Sequence, residues 1–179
     1  EYLSEVEAIA MDMNASYNAL VSEHMPCAEI VYDRYHMQAQ FGKDVLGAVR
    51  LDEARKHNAM AKQLKEEGCP KAAIKEEKKL YSEVKRARWI LLAGQDSLSD
   101  EDASALRKIL DGHADLAICH AMKEEMSRLF DLRDEDEARK GWIAWFEGAR
   151  ASGIPALMKF AERKEKRIDG LIAHASHPI

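Results

Sequence analysis

From Arg34 onward the apolar residues of this chain recur at helical spacing, so any sheet has to come from the residues before it. Two short apolar runs lie there. Val6-Glu7-Ala8-Ile9-Ala10-Met11 ends at Asp12, and Ala28-Glu29-Ile30-Val31-Tyr32, led in by the breaker Pro26, ends at Asp33. Between them Tyr17, Leu20, Val21 and His24 recur at i, i+3, i+4 and i+7, which predicts a helix capped by Asn14 or Ser16. A strand, helix, strand unit of this kind makes a parallel pair, and functional groups in open α/β sheets gather at the carboxyl ends of the strands. Asp12 and Asp33 both fall at such ends.

The remainder reads as a succession of helices. One runs from Arg34 through Phe41, Val45, Val49, Met60 and Leu64 to Gly68. Pro70 then stands where a first turn accepts proline, and Ile74, Leu80, Tyr81, Val84, Arg88 and Leu91 or Leu92 share a side of the next. Ser99 is a cap followed by an acidic first turn, and Gly112 is the matching stop. Leu116, Cys119, Met122, Met126 and Leu129 mark another helix, and Trp142, Trp145, Phe146 and Ala149 an inward stripe on the one after it. After Gly153-Ile154-Pro155 a last helix carries Leu157, Phe160, Ala161, Ile168, Leu171 and Ile172.

With 179 residues, 46% of them hydrophobic, the chain can bury a substantial core. Its longest apolar runs, such as Trp89-Ile90-Leu91-Leu92-Ala93, are too short to span a bilayer. Cys27, Cys69 and Cys119 are widely separated and lack C-x-x-C spacing, which suggests neither a disulfide framework nor a zinc site and makes a reducing cytoplasm the default. The net charge of −5 argues against a dedicated nucleic-acid domain. The chain begins at Glu1 rather than Met and ends in Ala175-Ser176-His177-Pro178-Ile179, which reads as a connector, so further and more basic parts are expected outside it.

An aspartate at the end of a buried strand can hold a divalent cation, because the sheet fixes its backbone while the side chain projects past the edge. Asp12 can equally accept the N-terminal amides of the following helix. In Asp33-Arg34-Tyr35-His36 the acid and the histidine share a helical face and can hydrogen-bond, either as part of a site or as a capped helix start. Lys85-Arg86-Ala87-Arg88-Trp89 sets cations beside an aromatic, a combination suited to phosphate contact and base stacking, although Ile90, Leu91 and Leu92 incline Trp89 toward the core. Trp142 and Trp145 read as core. Lys75 to Lys79 and Asp131 to Glu137 read as solvated faces or loops.

Taken together, Val6 to Met13, Tyr17, and Met25-Pro26-Cys27-Ala28-Glu29-Ile30-Val31-Tyr32-Asp33-Arg34-Tyr35-His36-Met37 resemble the core of the ISL-three group of bacterial insertion-sequence transposases. In that group one strand ends in an aspartate and a proline-led strand ends in Asp-Arg-Phe-His; Tyr35 here replaces the phenylalanine. Arg88 to Leu92 followed by Leu98-Ser99-Asp100-Glu101 looks like the group's helical region. The resemblance implies an RNase H-like domain with a DDE triad that binds two Mg2+ ions for DNA strand cleavage and joining. Under it Asp12 corresponds to the second aspartate, catalytic and metal-binding, while Asp33 and His36 support the site. Arg34, Arg86, Arg88 and Trp89 are the candidate DNA contacts.

The implied fold is mainly α with a small α/β part: two parallel strands of an RNase H-like core interrupted by a long helical insert. Residues 1–45 are expected to be partial core, 46–152 the insert, and 153–179 a helix returning toward the core. The first triad aspartate is expected on an earlier strand and the glutamate just beyond Ile179, so the chain alone should be inactive. Transposon-end DNA and further copies of the protein are the expected partners, in the bacterial cytoplasm and away from membranes. Two rival readings are a noncatalytic helical module whose Met and Trp stripes bind a partner protein, and a metal-dependent phosphohydrolase with its other carboxylates inside this chain.

Overall fold

The computed structural model describes residues 5–94 and 97–178, so Ile179, the end of the expected connector, lies outside them. In chain order the elements are β1 (Ala8–Met11), α1 (Ala15–His24), β2 (Glu29–Tyr32) and α2 (Arg34–Phe41). A π-helical turn (Gly42–Leu46) leads into α3 (Gly47–Glu66), followed by α4 (Lys71–Arg86), α5 (Arg88–Leu92), α6 (Asp100–Gly112) and α7 (Ala114–Leu129). Then come α8 (Glu135–Ala151), α9 (Pro155–Glu165), α10 (Ile168–Ile172) and a 3-10 turn (Ala173–Ala175). The fold is thus mainly α with a small parallel α/β part, as expected. The chain divides into two compact units, Glu1–Phe41 with Met122–Ile179, and Gly42–Ala121.

In the first unit β1 and β2 pair in parallel, with Ala8 opposite Glu29 and Met11 opposite Tyr32. The intervening α1 is capped by Asn14, whose side-chain oxygen accepts the Ser16 N–H at 2.8 Å. The same unit holds an aromatic core. Phe41, Phe130, Trp142, Phe146 and Phe160 are fully buried, and edge-on contacts join Phe41 to Phe160 and Phe130 to Trp142, each with centroids 5.2 Å apart. The Trp142, Trp145, Phe146, Ala149 stripe of α8 faces inward as its spacing required, and the Trp145 indole N–H donates to the Met122 carbonyl at 2.8 Å. Each such side chain contributes roughly 1.5–3 kcal/mol by leaving water.

Helices α9 and α10 are separate, where the periodicity alone predicts one helix to Ile172. The Arg167 N–H turns back to the Lys164 carbonyl at 2.9 Å, and Ile168 starts a new helix. That break seats Gly170 against β2. A Cβ there would lie 2.5 Å from the Tyr32 ring and 2.9 Å from the Ile30 carbonyl, so only a residue without a side chain permits the approach.

The second unit is built on a helical hairpin. Gly68 ends α3 in the left-handed region at φ 70°, and Pro70 immediately precedes α4. Contacts between Arg50 and Lys85 and between His57 and Glu77 set the two helices antiparallel. Ala54 and Ala61 take the inward positions of α3, which leaves Met60 44% exposed rather than in the core. The expected single helix from Pro70 to Leu92 is also divided, at Ala87. The Arg50 guanidinium donates to the Lys85 carbonyl, the acceptor that the Trp89 N–H would use in a continuous helix. Ser99 caps α6, its hydroxyl accepting the Asp102 N–H at 3.1 Å, and Gly112 ends it.

Candidate functional site

The register of the parallel pair brings Asp12 and Asp33 to neighbouring strand ends. The Asp33 N–H donates to the Met11 carbonyl at 3.0 Å, continuing the ladder one step past the strands. Asp12 is half-buried, and one of its carboxylate oxygens accepts the Asn14 N–H at 2.9 Å. The N-cap of α1 is Asn14, so Asp12 supports the cap from outside the helix rather than forming it. Its other oxygen has no partner among the described residues.

Asp33 is spent differently. One oxygen accepts the Tyr35 N–H at 2.6 Å, which caps α2, and the other meets His36 Nδ1 at 3.0 Å. The acid and the histidine do share a face, as the D-x-x-H spacing implies, and both carboxylate oxygens are occupied in holding it. Arg34 is ion-paired with Asp131 in the same unit.

Arg86, Arg88 and Trp89 belong to the second unit. Trp89 is 73% exposed, which corrects the inclination toward core. Ala87 and Leu91, one helical turn apart, take the buried positions, so residue 89 between them points outward. The Arg88 guanidinium lies over the indole at 5.2 Å from its centroid. Burial and the charge of Arg88 both lower the pKa of Arg50 from its ordinary value.

Two groupings have no counterpart in the sequence reading. In the second unit His57, Glu77 and His113 meet, although the histidines are 56 residues apart and no local motif joins them. In the first, Arg163, Lys164, Lys166 and Arg167 surround a cavity against β2. Four cations in five positions was a legible signal there.

A family model described as a transposase, of the ISL-three DDE type, matches residues 1–179. The chain is 30% identical over 174 residues to the transposase for insertion sequence element IS1001 of Bordetella parapertussis, covering 97% of this chain and 39% of that protein. No solved structure matches it.

Proposed function

Because this chain belongs to the transposase family whose model covers it from end to end, we propose that it is part of the catalytic domain of an insertion-sequence transposase, with Asp12 one of the carboxylates that DNA strand cleavage and joining require. The observation that carries this reading is the position of Asp12: it leaves a parallel strand beside Asp33, with one oxygen anchored and the other open. An anchored carboxylate of that kind is pre-positioned for a cation. Asp33 and His36 serve by holding the start of α2 and the adjoining strand end.

The residues present do not by themselves fit a two-metal Mg2+ site. Asp12 offers one carboxylate, Asp33 is taken up by Tyr35 and His36, and the described residues contain no group of three or more His, Cys, Asp or Glu able to hold a metal ion. The remaining ligands would come from elsewhere in a longer protein, and the chain alone would be inactive. Its 39% share of the relative's length is consistent with that. An RNase H-like core begun by residues 1–45, a helical insert, and a return over 153–179 remain the proposed organisation. The compact units favour ending the insert near residue 121 rather than 152.

Exposed Trp89 under Arg88, with Arg86 nearby in sequence, supports DNA contact by base stacking and phosphate pairing. Arg34 would join only by exchanging Asp131 for a phosphate. Transposon-end DNA and further copies of the protein are the proposed partners, in the bacterial cytoplasm; no helix among the described residues is long and apolar enough to cross a membrane. The interaction-module reading has less to stand on, since Trp142 and Trp145 are buried.

The test uses the full-length transposase that contains this chain, on DNA carrying its element's ends. Asp12→Asn should abolish cleavage while leaving the fold intact by circular dichroism, and Asp33→Asn should retain part of it. Cleavage at the unaltered rate by the Asp12→Asn protein would overturn the reading.

A further inference from the structure

Beside β2 in the first unit lies a cavity of about 580 Å³ whose walls include Arg163, Lys164, Lys166 and Arg167, and no carboxylate-bearing residue is among those lining it. We propose that these four cations form a phosphodiester-binding subsite for DNA, adjoining Asp12. The proposal rests on the transposase reading for the identity of the anion, and on the cavity itself for the site.

Four observations carry it. The cations come from one short string, Arg163-Lys164-Glu165-Lys166-Arg167, in a chain whose net charge is −5, so this concentration runs against the overall balance. Its one acid, Glu165, is turned to an ion pair with Arg150 and is absent from the lining. The Arg167 guanidinium lies 5.8 Å from the centroid of the Tyr32 ring, and its Nη1 atom is buried with no hydrogen-bond partner among the described residues. A buried donor left without an acceptor costs free energy that a bound oxyanion would recover. Lastly, the cavity is joined in sequence to the proposed catalytic position, because its walls include Met13 and Tyr32, which directly follow Asp12 and precede Asp33.

Lys164 is fixed rather than mobile. It is 7% exposed, donates to the Gln40 side-chain oxygen, and its amine lies 3.4 Å from Met13 Sδ and 5.5 Å from the Phe160 ring centroid. A cation held this way gives the cavity a fixed positive charge, while Arg163, its guanidinium 6.0 Å from the Phe160 ring centroid, and Lys166 are both exposed at the walls. The volume lies in the range of clefts that hold small ligands or part of a polymer. A phosphodiester gripped here would be anchored beside Asp12, which is what an enzyme acting on one bond of a long chain needs.

The experiment measures binding of a fluorescein-labelled DNA duplex to the purified chain by anisotropy, over a range of salt concentrations. Arg163→Gln with Lys166→Gln should weaken binding at least tenfold and reduce the slope of log affinity against log salt by about 2, since two phosphate contacts are lost. Arg167→Gln should act in the same direction, and circular dichroism and melting identify any variant that fails to fold. Lys75→Gln with Lys78→Gln, on exposed positions of α4, is the control and should change neither quantity. Unchanged affinity and slope in the cavity variants, or equal loss in the control, would overturn the subsite. So would binding of inorganic phosphate alone at the cavity with no difference in DNA affinity, which would mark it as a small-anion site. Failure of the subsite is separate from failure of the catalytic assignment, which is read from cleavage by the full-length protein.

Discussion

His57 and His113 face each other through their Nε2 atoms at 2.8 Å, while His57 Nδ1 meets a Glu77 carboxylate oxygen at 2.7 Å and His113 Nδ1 the Ile109 carbonyl at 2.6 Å. A carbonyl can only accept, so His113 carries a proton on Nδ1. Its Nε2 is then a lone pair unless a second proton has been taken up. The short contact to His57 requires a proton between the two rings, and the contact to Glu77 requires another. Both 2.8 Å and the nearly perpendicular rings, at 78°, suit an N–H···N bond.

That relay should be measurable as a coupling. His57→Ala and His113→Ala are each expected to destabilise the protein, and the double variant to cost less than their sum by about 1–3 kcal/mol in a denaturant-based cycle. Strict additivity would mean the two rings merely sit near one another.

The two kinds of tryptophan should separate cleanly. Trp145→Ala removes a ring packed against Phe41, Phe146 and Phe160 and should cost about 3–5 kcal/mol. Trp89→Ala removes an exposed ring and should stay within about 0.5 kcal/mol of the unaltered chain by urea denaturation. A large loss at Trp89 would mark its ring as part of the core.

Asp33→Ala takes away the N-cap of α2 together with the partner of His36, and a loss of about 1 kcal/mol is expected. Asn caps a helix as well as Asp does, so Asp33→Asn should recover most of it. Equal losses would assign the effect to the charge rather than to the cap.

Cys119 is fully buried, and burial, helped by the charge of Asp115, pushes its thiol up to about 12. Iodoacetamide should therefore label exposed Cys27 readily and Cys119 only after unfolding. The sign for stability follows from the same displacement. Between the ordinary thiol value and about 12 the unfolded chain loses this proton while the folded one keeps it, so folding should weaken as pH rises through that window. Replacing Cys119 with Ala should flatten that part of the pH profile. An unaltered slope would assign the alkaline loss to other groups.

What could be read from the chain beforehand was what depends on neighbours in sequence. The paired strands, the Asn14 and Ser99 caps, the stop at Gly68 and the inward face of α8 all follow from local spacing and capping chemistry. Two of the departures, the divided helices, share one origin, a distant residue that intervenes in a helix. Arg50 takes the Lys85 carbonyl where α4 gives way to α5, and the docking of Gly170 on β2 accompanies the separation of α10 from α9. Asp12 and Asp33 were legible as strand-end acids because their register depends only on the pairing of two short runs. The meeting of His57 with His113, and the facing of Arg167 and Tyr32, depend on the fold as a whole and leave no mark in local pattern.

The close seat of Gly170 on the Tyr32 ring ties two positions together in a way that should be visible across evolution. A side chain at 170 meets an aromatic edge that could be trimmed, but also the Ile30 carbonyl, which no substitution at 32 can remove. Alanine at 170 should therefore occur among relatives only where residue 32 has become smaller and the strand has shifted away. Anything larger should be missing, and lineages that keep an aromatic at 32 should keep glycine at 170, so that the two columns of an alignment vary together or not at all.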